Sequence, residues 1–226
     1  TYPITIDYTD GTNLNTLVLT GSQTVTLNVA PFATTTFGLI NVTDGSAPNC
    51  VTPLSNAATI VVNQPVEAGS ANEVLEFCTG AGQVVQLSSL LNGADADGQW
   101  IETSAILSQT GAFNASLGSF QPNGQAPGTY TFRYLLTATA PCVNDEASVS
   151  IRIYPAPTSD AGADKTLNCN ATSANLGGSG TSPGTYQWLL NGDTISTERQ
   201  VIAKEGGLYT LLVTTPQGCT DTDMVE

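Results

Sequence analysis

Five cysteines and two pairs of near-neighbour aspartates are the residues whose types and spacing could do chemistry in this chain of 226 residues. Cys50, Cys78, Cys142, Cys169 and Cys219 stand far apart, no CxxC occurs, and there is no histidine. These spacings match no zinc pattern. Without histidine, the commonest general base and the Ser–His and Cys–His nucleophile systems are missing from this stretch. Carboxylates remain. Asp95 and Asp97 in "GADADG", and Asp221 and Asp223 in "CTDTDM", are neighbours in turns, whereas glycoside hydrolysis needs two carboxyls facing each other across a cleft. "LGGSG" (176–180) follows a strand with no helix behind it to receive phosphate. The chain therefore reads as a non-enzyme without a catalytic residue or cofactor. Calcium is the one cation that the spacing allows, with Asp95 and Asp97 as candidate ligands. The competing reading is an ordinary Asp/Gly turn.

The elements that must carry these residues are written as repeats. "GTYTFRYLLTATAPC" (128–142) and "EGGLYTLLVTTPQGC" (205–219) match closely, and "TTFGLINVTDGSAPNC" (35–50) matches more loosely. Tyr130, Phe132, Tyr134 and Leu136 alternate with polar residues, as do Tyr209, Leu211 and Val213, and Val149, Ile151 and Ile153. That period of two marks strands with one buried face. Upstream, "CTGAGQVVQLSSLL" (78–91) parallels "CNATSANLGGSG" (169–180), and each is followed by a strand with a tryptophan, Trp100 or Trp188. Their matched places suit core residues better than sugar-stacking platforms. Thr, Ser, Asn and Gly fill a sequence with 11% charged residues, a mix that disfavours helix and suits strands joined by turns.

The predicted fold is all-β: tandem immunoglobulin-like β-sandwich modules, elongated, with turns every 8–12 residues. Pro-marked seams at 63–65 and 154–162 delimit modules 1–65, 66–155 and 156–226. The first is expected to be N-terminally incomplete, since "TYPITIDYTDG" matches the mid-module phrase "TYQWLLNGD". The third is expected to be cut short in its last strand. A first module without its opening strands would leave a sheet edge that another chain could complete. Each full module has one cysteine before its first strand and one after its tyrosine strand. The expected disulfides are thus Cys78–Cys142 and Cys169–Cys219, with Cys50 unpaired in this stretch. Disulfides imply an oxidising, extracytoplasmic location.

The net charge of −14 is spread along the chain, −3, −6 and −5 over the three modules. Such a surface repels phosphate and anionic lipid, so nucleic acid is excluded as a partner. No apolar run approaches the roughly 18 residues of a membrane span, so no membrane insertion is expected.

The phrases "AGADKTLNC" (161–169), "GQW" (98–100), "PGTY" (127–130, 183–186) and "GCTDTD" (218–223) resemble the immunoglobulin-like and PKD-like repeats of very large Bacteroidota cell-surface proteins. Those include gliding-motility adhesins and other cargo of the type IX secretion system. The resemblance spans essentially the whole chain. It implies an extracellular or cell-surface location and a structural or adhesive repeat array, part of a filament or adhesin stalk. Its partners would be neighbouring repeats or other copies of the same protein. The alternatives are a module binding surface glycans, with the apolar and amide-rich stretch 101–126 as its distinctive part, or accessory domains of a secreted hydrolase.

Overall fold

Each alternating phrase forms a strand and buries the face that its period marks. The computed structural model describes residues 2–226 and contains, besides strands and turns, one short 3-10 turn at Leu87–Leu90. Its residues divide into two compact units: those up to Val66 together with Thr137–Asn144, and Glu67–Leu136 together with Asp145–Glu226. Most of the two stretches expected as separate modules, 66–155 and 156–226, falls in the second unit, where each builds its own sheets.

In residues 67–155 the central ladder is antiparallel, from Gly128↔Ile153 to Leu136↔Asp145. Gln99–Glu102 joins one side and Leu75–Cys78 runs parallel on the other, with Cys78 opposite Tyr154. Tyr130, Phe132, Tyr134, Val149, Ile151 and Ile153 are all buried. A small sheet of Val85–Gln86, Ser119–Phe120 and Phe113–Asn114 supplies further core. Phe120 is fully buried, with its ring 5.1 Å from Tyr130 and 4.9 Å from Phe132. Pairs of this geometry contribute about 0.5–1.5 kcal/mol each beyond area burial.

Residues 156–226 repeat the plan more simply. The strands Asp193–Ser196, Thr185–Leu190, Tyr209–Thr214 and Thr220–Val225 form one sheet in that order, and Ala174–Leu176 pairs with Val201–Ala203 in a second. Trp188, with no exposed surface, packs in one cluster with Leu176, Ala203, Tyr209, Leu211 and Val213. The tyrosine opening each penultimate strand ties down its own turn. Tyr130 Oη–H donates to Ala126 O (3.0 Å) and Tyr209 Oη–H to Glu205 O (2.9 Å). This is the tyrosine corner of immunoglobulin-type sandwiches. The first repeat has Phe37 at that place and no hydroxyl to donate.

The first unit is built differently. Ile4–Thr9 lies between Leu14–Leu19 and Thr35–Thr43, and Thr35–Thr43 also pairs with Val51–Pro53 and Ala57–Ile60. Ile6, Leu17 and Val42 share one face of this sheet through the pairs Ile6↔Leu17 and Ile6↔Val42. Yet none of the unit's described residues is buried, because among them no second sheet covers that face.

The contrast sets an expected outcome. Leu211→Ala costs about 2–5 kcal/mol, as for a fully buried leucine, and Tyr209→Phe about 0.5–1.5 kcal/mol for its hydroxyl bond. Leu39→Ala, on the uncovered sheet, costs clearly less than Leu211→Ala. Urea unfolding of the full chain, read by hydrogen exchange in each unit, checks all three.

Candidate functional site

Asp95, Asp145, Asp221 and Asp223 each accept a hydrogen bond from the protein's own backbone. In the loop 93–98, Asp95 Oδ2 accepts the Glu67 N–H (2.9 Å), and Asp95 N–H donates to Glu67 O (2.8 Å). Tyr134 organises the rest of the loop, since its hydroxyl donates to Asp95 O and accepts from Gly98 N–H, each at 2.8 Å. A Cβ on Gly98 would stand 2.3 Å from the Tyr134 ring, so only glycine allows this approach. Asp97 sits at φ 67° in the left-handed turn. Among the described residues no group of three Cys, Asp or Glu side chains is placed to hold a metal. "GADADG" is thus a turn organised by a phenol.

The other acids clamp the segments by which each repeat begins. Asp145 Oδ2 accepts from Ala68 N–H at 2.7 Å, and Asp223 Oδ2 accepts from Ala161 N–H at 2.8 Å. Ala68 and Ala161 have no exposed surface, so the two seams are built alike. Asp221 Oδ2 also accepts from Ser159 N–H (2.8 Å) and Ser159 Oγ–H (2.7 Å). These two bonds hold the Asp221 carboxyl below the usual aspartate range. Asp221 and Asp223 share a strand face with buried Val225, which is why both reach inward to the seam. The sequence carried a readable signal, the repeated Ala-Gly in "EAGSAN" and "DAGADK" and an aspartate near the start of each last strand.

One disulfide is present, and it corrects the expected pairing. Cys78 bonds to Cys219, with Cα atoms 5.6 Å apart, while Cys50, Cys142 and Cys169 carry no bridge. Neither Cys78–Cys142 nor Cys169–Cys219 forms. The reason is strand length. Cys142 lies in the hairpin at the Leu136↔Asp145 end of its ladder, whereas Cys78 lies opposite Tyr154, nine residues further along the strand from Asp145. At roughly 3.3 Å per residue that is about 30 Å, and a disulfide needs Cα atoms within about 7 Å. Cys219 and Cys169 are separated in the same way. Cys219 precedes Thr220–Val225, and the segment leading to Cys169 starts at that strand's far end, where Lys165 N–H donates to Glu226 O (2.8 Å). The bridge that does form joins the exit end of the residue 67–155 sheet to the hairpin of the residue 156–226 sheet.

The remaining candidates serve packing. Trp188 is fully buried, and Trp100, 8% exposed, lies 4.8 Å from the Tyr134 ring, so neither offers a face to sugar. On the first sheet's uncovered face a groove of about 450 Å³ is lined by Ile6, Tyr8, Leu17, Val25, Leu27 and Phe37.

No family model matches the chain, and no curated protein matches it. Among solved structures, it is similar to the titin I-band fragment I67–I69, with 11% identity, TM-score 0.41, and coverage of 100% of this chain and 88% of that one. It is also similar to Drosophila OTK extracellular domains 3–5, with 13% identity, TM-score 0.36, and coverage of 99% and 84%. Drosophila N-cadherin EC1–4 shows 11% identity, TM-score 0.31, and coverage of 85% of this chain and 56% of that one.

The Asp221 clamp has a pH consequence of definite sign. Its folded-state pKa is depressed, so its stabilisation is fully present above the unfolded value of about 3.9. It is lost as pH falls through the lower folded value. Asp221→Asn should therefore lower the melting temperature at pH 7 and narrow its gap from the unsubstituted chain below about pH 4. Thermal melts across that range read both limbs.

Proposed function

We propose that this chain is a structural and adhesive repeat array, a piece of an extracellular surface filament or adhesin stalk whose working parts are its joints. The observation that carries this reading is the Cys78–Cys219 bridge. It crosslinks two successive repeats, which a chain built only to display one binding pocket has no use for. Under tension along the chain, a bridge at that place carries load past everything between its two sulfurs. The backbone caps at Ala68 and Ala161 act in the same direction, fixing the opening segment of each of these two repeats to its own final strand. A disulfide persists in oxidising compartments, which supports an extracellular location. The net charge of −14 keeps such a surface soluble and discourages lateral collapse onto like-charged copies. Within that class, the repeat phrases favour cell-surface cargo of the type IX secretion system, among which gliding-motility adhesins belong.

The glycan-binding alternative rested on residues 101–126. Phe113 and Phe120 from that stretch enter the core, Phe120 completely, and Gln125 Oε1 accepts from Gln109 N–H at 2.8 Å. These two aromatic rings and the Gln125 amide are thus engaged in packing, while Ile106, Leu107 and Leu117 of the same stretch stay exposed.

Single-molecule pulling from the two termini tests the mechanical reading. With the bridge intact, the sequence separation of 141 between its cysteines should stay hidden, about 480 Å of contour length at ~3.4 Å per residue. Reductant should release it. Full extension without reductant would overturn the proposal, as would a strong hit for the full chain on a glycan array.

A further inference from the structure

The five cysteines fall into two classes by place, and the one observed bond says how the classes pair. Cys50, Cys142 and Cys219 are hairpin cysteines, each in the connection between one strand of its repeat and the next: after Thr35–Thr43, after Gly128–Leu136 and after Tyr209–Thr214. Cys78 and Cys169 are head cysteines. Each ends the segment that runs beside the exit end of its repeat's final strand, Cys78 opposite Tyr154 and Cys169 beyond the Lys165–Glu226 contact. Strand length keeps the head and hairpin cysteines of one repeat apart. The bond forms between the head cysteine of one repeat and the hairpin cysteine of the next.

We propose that Cys169 and Cys50 are the open halves of an inter-repeat disulfide ladder, in which every head cysteine bonds the hairpin cysteine of the following repeat. Cys169 is the head half, and takes the hairpin cysteine of a like repeat seated after residues 156–226. Cys50 is a hairpin half, and takes the head cysteine of a like repeat seated before its own, whereas Cys142 is a hairpin cysteine that follows residues 1–65, in which Cys50 is the one cysteine, and so meets no head cysteine there.

A second observation supports this independently. The hairpin of Cys142, residues 137–144, belongs to the first unit. There Asn63 Nδ2 donates to Ala140 O (2.6 Å), and Cys142 Sγ lies 3.5 Å from Asn63 O. Asn63 follows Ala57–Ile60, so the hairpin sits at the exit of the first repeat. Cys219 sits on Cys78 at the same exit of the second. Cys142 is therefore seated where its counterpart is bonded. Cys50 and Cys169 are exposed and reachable.

The chemistry balances by thiol–disulfide exchange. A Cys169 thiolate attacks a small disulfide oxidant such as oxidised glutathione, releasing one thiol. The partner's hairpin thiolate then attacks the mixed disulfide and releases the second. Two S–H bonds are lost and one S–S bond is formed, while two electrons and two protons pass to the oxidant.

This inference rests on the array reading and adds the partner, a repeat of the same class; a second copy of this chain is the probe. The full chain, its Cys78–Cys219 bridge intact, is held at high concentration in a glutathione redox buffer, and the products are mapped as non-reduced peptides. Head-to-tail oligomers joined through Cys169–Cys50 are expected, and Cys169→Ala or Cys50→Ala should abolish them while Cys142→Ala does not. A fusion of two copies through a flexible linker raises the effective concentration to the millimolar range, and there Cys169–Cys50 should exceed Cys169–Cys169 by about tenfold. Equal amounts of like and unlike pairs, or no bridge in the fusion, would overturn the ladder while leaving the array reading intact. A native map lacking Cys78–Cys219 would remove the basis of both.

Discussion

The ladder between Gly128–Leu136 and Asp145–Tyr154 holds Cys142 at one end of its repeat and Cys78 at the other. An extended strand neither shortens nor folds back, so the two sulfurs of one repeat never approach. Much else follows from that stiffness. A cysteine at the exit of one sheet can find a partner only on the next element along, which is the hairpin of the following repeat. The disulfide therefore lies at the joint, although in single immunoglobulin domains the bridge ties the two sheets of one sandwich. The same strand geometry carries Asp145 and Asp223 to the seam, because each stands on a final strand whose neighbour is the start of its repeat.

Core distribution follows a related logic. Residues 67–155 and 156–226 each place a second layer over their main sheet, and the aromatic and aliphatic residues between the layers are buried. The first unit has a five-stranded sheet but no covering layer among the described residues, and its apolar residues stay partly exposed. The stretch 23–29, where Val25, Leu27 and Val29 alternate with polar residues, holds the place in the first repeat that Val201–Ala203 holds in the third. In the third repeat that strand pairs with Ala174–Leu176. In the first it pairs with no strand among the described residues, and it lines a groove in place of completing a sandwich.

Particular residues show how legible this was. Tyr130, Phe132, Tyr134 and Leu136 are buried as their alternation requires, and so are Tyr209, Leu211 and Val213. Trp100 and Trp188 are core residues, as their matched positions suggested. The stretch 101–126 supplied the glycan-binding alternative, and its apolar residues lack a clean period. Short two-residue strands, Phe113–Asn114 and Ser119–Phe120, are too brief to show one. The sequence left Asp95 between a calcium candidate and an ordinary turn residue, and spacing along the chain does not reveal that Glu67 N–H and the Tyr134 hydroxyl meet at that loop.

What the sequence determined by itself is the class of element at each place: period-2 burial, turn residues, the repeats and the two kinds of cysteine position. These are local properties, set by backbone sterics and by which face of a strand avoids water. Which sulfur meets which, and which carboxylate reaches which amide, only the tertiary structure decided. Those pairings depend on distances through space between residues far apart in the chain, and a strand of nine or ten residues separates its two ends by several times the reach of a side chain.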